Sequence, residues 1–222
     1  MKKIIFILAL FFISNSVDAQ PSHLIDFQIG VMGTRYNSHI KTSKSTYSYL
    51  LPSFSISFAR LSENYFFADI ELSIRYRQLV FIKQKLYSIS EGIEFAEIGL
   101  ELHTGLQIER ESTSHLPYLG IGIGHVIDYE YFSRQQGVTT YPYNKEPLLF
   151  NTLLPYFVLG NKLINSSFKE KRRNFSFRFY GRYYPLPLFQ NNFTYSYGFN
   201  MSEVKQYSLF EIGISIGFCT VH

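Results

Sequence analysis

Large apolar residues recur at every second position through much of this chain. The clearest run is Tyr207 to Phe218, where Phe210, Ile212, Ile214, Ile216 and Phe218 share one face and Glu211, Gly213, Ser215 and Gly217 the other. That period of two marks a β-strand with two unlike faces. The same pattern predicts a strand near Ile25 to Arg35, with Phe27, Ile29 and Val31 against Asp26, Gln28, Gly30 and Thr34. A second covers Leu50 to Leu61 (Phe54, Ile56 and Phe58 against serines), and Ser62-Glu63-Asn64 forms a tight turn. A third covers Tyr65 to Leu79, with Phe66, Ala68, Ile70, Leu72, Ile74 and Tyr76 against Phe67, Asp69, Glu71, Ser73, Arg75 and Arg77. Further strands follow at Ile93 to Ile108, Leu116 to Tyr131, Thr152 to Lys162 and Phe175 to Tyr184. The one over Thr152 to Lys162 alternates poorly, because Leu153, Leu154, Phe157, Val158 and Leu159 fall on both faces. With the last strand this makes eight, and Phe193 to Phe199 (FTYSYGF) offers the material for a ten-strand count.

The face opposite the large residues is rich in glycine and serine. Water has no need of glycine, but the inside of a narrow barrel does. The expectation is therefore all-β, a single antiparallel up-and-down transmembrane barrel with apolar residues turned to lipid and small or polar ones turned inward. An even strand count returns both chain ends to one side. Connections after the second, fourth and sixth strands are the shorter set, which suits short periplasmic turns and longer external loops. A soluble lipocalin-like barrel, a periplasmic binding protein with its apolar face inward, is the competing arrangement.

Composition sharpens this picture. Aromatic residues make up 18% of the chain, the supply that two interfacial girdles require. Residues 1–20 read as a signal peptide: Lys2 and Lys3, an apolar run from Ile4 to Ile13, and Val17-Asp18-Ala19 before Gln20. Residues 21–222 then form one exported domain, destined for the cell outer membrane. The formal net charge is only +4, with Lys2 and Lys3 in the leader, too little to argue for nucleic acid. Cys219 is the lone cysteine, so no internal disulfide framework exists.

Alternation collects Asp26, Asp69, Glu71, Glu97, Glu101, Asp128, Glu130 and Glu211 on the inner face, with Arg75, Arg77, Arg178 and Arg182. Charges enclosed in so narrow a barrel must pair, because an unpaired buried charge costs several kcal/mol. An ion-paired lumen that stiffens the barrel is the structural expectation, and a narrow gated pore is the functional one. Acids outnumber arginines, so Lys162 and His103 are candidate partners for the remainder. His125 lies on the lipid face in the upper half of its strand. Either a bulge at Gly124 turns it inward or it sits at the interface. No serine stands at a spacing that would pair with it, so the lipid A-modifying enzyme chemistry of some small barrels finds no nucleophile–base pair. The expectation is a protein that is not an enzyme, with no metal or cofactor. The basic run Lys169 to Arg173 reads as a solvated turn.

Glu211, Gly213, Ile216 and Phe218 resemble the C-terminal assembly signal of bacterial outer-membrane barrels, although that signal ordinarily ends at its aromatic residue and this chain continues to His222. The mature chain as a whole resembles the outer-membrane β-barrel domain proteins of Bacteroidetes, a group of PorT-like and OmpA-like small barrels. The resemblance is carried by Asp18-Ala19-Gln20, by Tyr118 to Gly124, by Thr194 to Phe199 and by Glu211 to Phe218. It implies an architecture and no shared catalytic residues. It implies as partners outer-membrane lipid and lipopolysaccharide, the barrel-assembly machinery through the C-terminal strand, and a secretion or surface protein. The role expected is structural or interactive, with an accessory of type IX secretion as an alternative.

Overall fold

A computed structural model describes residues 22–36, 50–62, 65–84, 89–110, 112–135, 138–140, 151, 153–165, 173–186, 193–197, 200–204 and 209–221. The leader, most of the turn at Ser62-Glu63-Asn64 and most of the basic run before Arg173 lie outside these residues.

Eight strands form the barrel: β1 (Ser22–Tyr36), β2 (Leu50–Leu61), β3 (Phe66–Gln84), β4 (Ile89–Leu106), β5 (Thr113–Gln135), β6 (Leu154–Ile164), β7 (Arg173–Tyr184) and β8 (Leu209–Val221). Each pairs antiparallel with the next. Pairing of β1 with β8, from Leu24↔Val221 to Tyr36↔Leu209, closes the ring. Closure leaves the spanning part of the sheet without an edge, which is what lets strands cross hydrocarbon. The segment Phe193–Tyr197 is a strand, but it pairs with Asn200–Val204 in a separate two-stranded sheet. The barrel count is therefore eight and not ten. Short segments Ile108–Arg110 and Val138–Thr140 pair with the two ends of β5.

Burial alternates residue by residue and fixes which face is which. Phe27, Ile29, Leu119, Leu159, Ile216 and Phe218 are 58–70% exposed, while Arg75, Glu97, Glu101 and Glu211 are 0% exposed. A soluble protein would reverse these faces, so the lipocalin-like arrangement is excluded. β6 alternates as regularly as the rest: Leu154, Tyr156, Val158, Lys162 and Ile164 point inward and are buried, and Leu153, Phe157 and Leu159 point outward. Its sequence looks irregular because apolar residues occupy both faces.

Strand lengths are unequal. β2, β6 and β7 have 12, 11 and 12 residues, close to the roughly 9–11 needed to span a bilayer. β3, β4 and β5 have 19, 18 and 23. The excess lies away from the chain termini. Described pairing of β2 with β3 ends at Ser53↔Arg75 and that of β6 with β5 at Gly124↔Leu154. Beyond those points β3, β4 and β5 continue as a three-stranded wall to Gln84, Ile89 and Gln135. The stretch from Val80 to Gly92 is thus largely strand, an extension of the two strands that flank it. At the opposite end Tyr65 takes a left-handed conformation (φ 62°), which turns the chain into β3 and leaves its side chain exposed.

Candidate functional site

The chemistry-bearing residues converge inside the barrel. β3 contributes Asp69, Glu71, Arg75 and Arg77; β4 contributes Glu97, Glu101 and His103; β7 contributes Arg178 and Arg182; β8 contributes Glu211; and all are buried. Period-two geometry delivers them, since residues two apart on a strand point the same way. Glycines on neighbouring strands make room. A Cβ on Gly99 would lie 1.7 Å from Nη2 of Arg75, and one on Gly124 would lie 2.1 Å from Oε1 of Glu97.

Glu101 is the centre of the network. It accepts from Arg182 at 2.7 Å, from Tyr156 Oη at 3.1 Å and from Arg75 at 3.4 Å, and it faces His103 Nε2 at 2.8 Å and Arg178 at 3.5 Å. Above it Arg75 and Arg77 share Glu97, at 2.6 and 2.8 Å, and Arg77 also reaches Glu211 at 2.8 Å. The Tyr184 hydroxyl accepts from Arg77 and from Arg75 and donates to Glu211. Arg178 pairs with Glu71. Guanidinium groups also lie over ring faces: Arg182 is 4.1 Å from the Tyr180 centroid and Arg75 is 4.7 Å from that of Tyr156.

A second group lies nearer the termini. Lys162 Nζ is 3.0 Å from Asp26 and 3.2 Å from Asp69, and it donates to Ser57 Oγ at 2.9 Å. Ser176 and Gln28 both donate to Asp26. His103 joins the two groups, with Nε2 facing Glu101 and Nδ1 facing Asp69 at 3.6 Å. Among the described residues the lumen buries six carboxylates (Asp26, Asp69, Glu71, Glu97, Glu101, Glu211) against five cations (Arg75, Arg77, Lys162, Arg178, Arg182). Both ring nitrogens of His103 face carboxylates, which suits the doubly protonated ring and makes the count six against six.

Asp128 is the exception among the expected lumen residues. The ladder between β4 and β5 shifts there: Glu97 pairs with Val126 and Ala96 with Asp128, so Ile127 is an extra residue. A bulge of this kind moves the following side chains to the other face. Asp128 and Glu130 are exposed on the outer side, correcting their inward assignment. The irregularity lies past His125 and not at Gly124, so His125 stays exposed on the outer face, in register with Ile98. Sequence reasoning had no signal for this bulge. The residues it left out of the network are recognisable afterwards as tyrosines in phase with inward cations: Tyr180 and Tyr184 with Arg178 and Arg182 on β7, and Tyr156 with Lys162 on β6.

Glu71, Glu101 and His103 offer three ligand-type atoms within 4.8 Å of one another. Two arginines occupy the same space, Arg178 on Glu71 and Arg182 on Glu101, so the cluster is an ion-pair centre. Apolar layers bound the charges on both sides. Leu24, Leu61, Phe67, Leu116, Ile164 and Cys219 fill the lumen toward the termini; Ile93, Phe95, Leu154 and Leu209 fill it toward the other end. A gap of about 10 Å³ beside Glu71, Arg178 and Arg182 has room for about one water.

These features define a closed, eight-stranded antiparallel barrel of the outer-membrane type, with lipid-facing apolar residues and a filled polar interior. A solved structure carries the same fold. The chain aligns with the outer membrane protein OprG of Pseudomonas aeruginosa at a TM-score of 0.57 and 9% identity, over 91% of this chain and 96% of that one. It also aligns with Neisserial surface protein A at 0.46 and 9% identity, over 90% and 99%, and with Ail, the attachment invasion locus protein of Yersinia pestis, at 0.45 and 9%, over 90% and 99%. No family model and no curated protein matches the sequence.

Proposed function

We propose that this is an exported outer-membrane protein whose barrel is a sealed, ion-paired anchor. Its non-enzymatic role is structural or interactive and is exercised by the parts that rise out of the bilayer. The observation that carries this reading is the division of the molecule. The spanning layer is closed by charge pairs between two apolar layers, while β3, β4 and β5 continue well past it as a wall. A rigid element standing clear of a membrane suits recognition, and a lumen packed with its own side chains suits a static anchor.

The C-terminal strand supports the membrane location. Glu211 and Gly213 face inward while Ile216 and Phe218 face lipid, the orientation that an assembly signal read by barrel-insertion machinery needs. The test is fractionation of cells expressing the chain, with gels run before and after boiling. Recovery in the outer-membrane fraction with a boiling-dependent shift supports the reading; a soluble periplasmic protein with no shift ends it. The accessory role in type IX secretion rests on sequence resemblance alone, and normal export of that system's cargo after deletion would remove it.

A further inference from the structure

The two charged groups of the lumen differ in balance, and His103 stands where they meet. Away from the termini Glu71, Glu97, Glu101 and Glu211 face Arg75, Arg77, Arg178 and Arg182, four charges against four. Toward the termini Asp26 and Asp69 share Lys162, at 3.0 and 3.2 Å. Two carboxylates against one ammonium leave that group one negative charge in excess. Ser57, Ser176 and Gln28 complete its hydrogen bonds but bring no charge. Both carboxylates are buried, and Leu24, Leu61, Phe67 and Leu116 fill the lumen on the terminal side, so the excess is not left to solvent.

The elements around the His103 ring bear on its charge. β3 presents Asp69 to Nδ1 at 3.6 Å, and β4 presents Glu101 to Nε2 at 2.8 Å. β5 lays the Tyr118 ring 4.6 Å from the imidazole. Lys162 of β6 and Arg178 of β7 are one step removed, on Asp69 at 3.2 Å and on Glu101 at 3.5 Å. Asp26 of β1 lies behind Lys162. A neutral imidazole has one N–H and one lone pair, so it would turn the lone pair toward one of the two carboxylates. An imidazolium turns an N–H toward each. Glu101 already holds three arginines, so the group that needs the ring's charge is Asp69 with Asp26.

We propose that a proton held at His103 is the sixth cation of the lumen and makes the terminal half of the barrel a pH-sensitive lock. The lock rests on the sealed-anchor reading and deepens it, by naming the condition under which the anchor loosens. While the ring is charged, the terminal group is neutral. Once the proton leaves, an unpaired charge stays buried, which is strongly destabilising. Histidine in the unfolded chain gives up its proton near about pH 6.5. The stabilisation is therefore complete below that pH and is lost as the pH rises above it.

The test is urea unfolding of the full-length chain in phosphatidylcholine vesicles, followed by the boiling-dependent gel shift. The interval runs from about pH 6.5 to about pH 8, below the range in which free thiols ionise. At fixed urea the unfolding constant of the parent should rise toward about tenfold per pH unit, the slope that release of one proton sets. His103→Gln should be weakened at the lower pH and show no such slope. Asp69→Asn should lose the slope as well, because a neutral partner removes the need for the proton. The double variant His103→Gln/Asp69→Asn should be more stable than His103→Gln alone, whereas a mere packing role makes two lesions worse than one. Nitrogen NMR of the parent with isotope-labelled histidine should show one doubly protonated ring at about pH 8, absent from His103→Gln. A flat parent, a slope that survives either single variant, a double variant weaker than His103→Gln, or neutral rings throughout overturns the lock. If His103→Gln does not fold, the parent's slope against that of Asp69→Asn, with the parent's NMR, decides. A parent without the gel shift counts against the outer-membrane reading, and a flat slope with the shift intact counts against the lock alone.

Discussion

At the scale of single residues, burial decides what each charge is worth. Glu101 is fully buried and holds Arg75, Arg178, Arg182 and His103 around one carboxylate. Glu101→Gln keeps the volume but leaves four positively charged or protonated groups facing a neutral amide. Removing one partner of a buried ionic group costs about 3–5 kcal/mol, because the charges left behind stay out of water. The expected outcome is a folded barrel that unfolds at distinctly lower urea concentration, followed by the boiling-dependent gel shift. Asp128→Asn is the matched control, since Asp128 is exposed beyond the bulge. Its change should stay within about 0.5 kcal/mol. Equal losses at the two positions would mean that Asp128 belongs to the lumen after all.

At the scale of elements, the barrel depends on how closely strands approach. A Cβ on Gly217 would lie 2.1 Å from the backbone oxygen of Phe27, across the β1–β8 seam, and a backbone atom cannot swing aside. One on Gly181 would lie no closer than 3.6 Å to its neighbours. Gly217→Ala should therefore cost about 1–3 kcal/mol by forcing the closing strands apart, while Gly181→Ala changes stability by less than about 0.5 kcal/mol. Urea titration of the two proteins side by side checks this, and a Gly217→Ala as stable as the parent would show that the seam has slack. Period-two patterning made most of this legible in the sequence, since eight strands, their faces and nearly all the lumen charges follow from it. Three things were hidden or only partly legible for physical reasons. The bulge at Ile127 is an extra residue that no alternation announces. The apolar inner face of β6 erases the contrast that reveals a strand. The wall formed by β3, β4 and β5 runs past the pairing of β2 and β6, and along it the alternation that marks the other strands fades.

At the scale of the whole molecule, the interior has two means of closure in series. On the proposed reading, the charged layer stops flow by filling the lumen with paired side chains, and the apolar layers at either end keep water from it. The two respond differently to substitution. Exchanging Glu101 for glutamine loosens the middle but leaves Leu24, Leu61, Phe67 and Leu116 in place toward the termini, together with Ile93, Phe95 and Leu209 at the far end. Ions entering such a layer would have to shed water without gaining a polar partner, a cost of several kcal/mol for each. Planar-bilayer recordings should therefore show no conductance steps for the parent protein and none for Glu101→Gln. Steps in the parent would mean that the lumen opens and would restore the narrow-pore reading. Steps in the variant alone would place the seal in the ion pairs and reduce the apolar layers to packing. Silence in both, with the gel shift intact, is the outcome that the proposed sealed anchor requires.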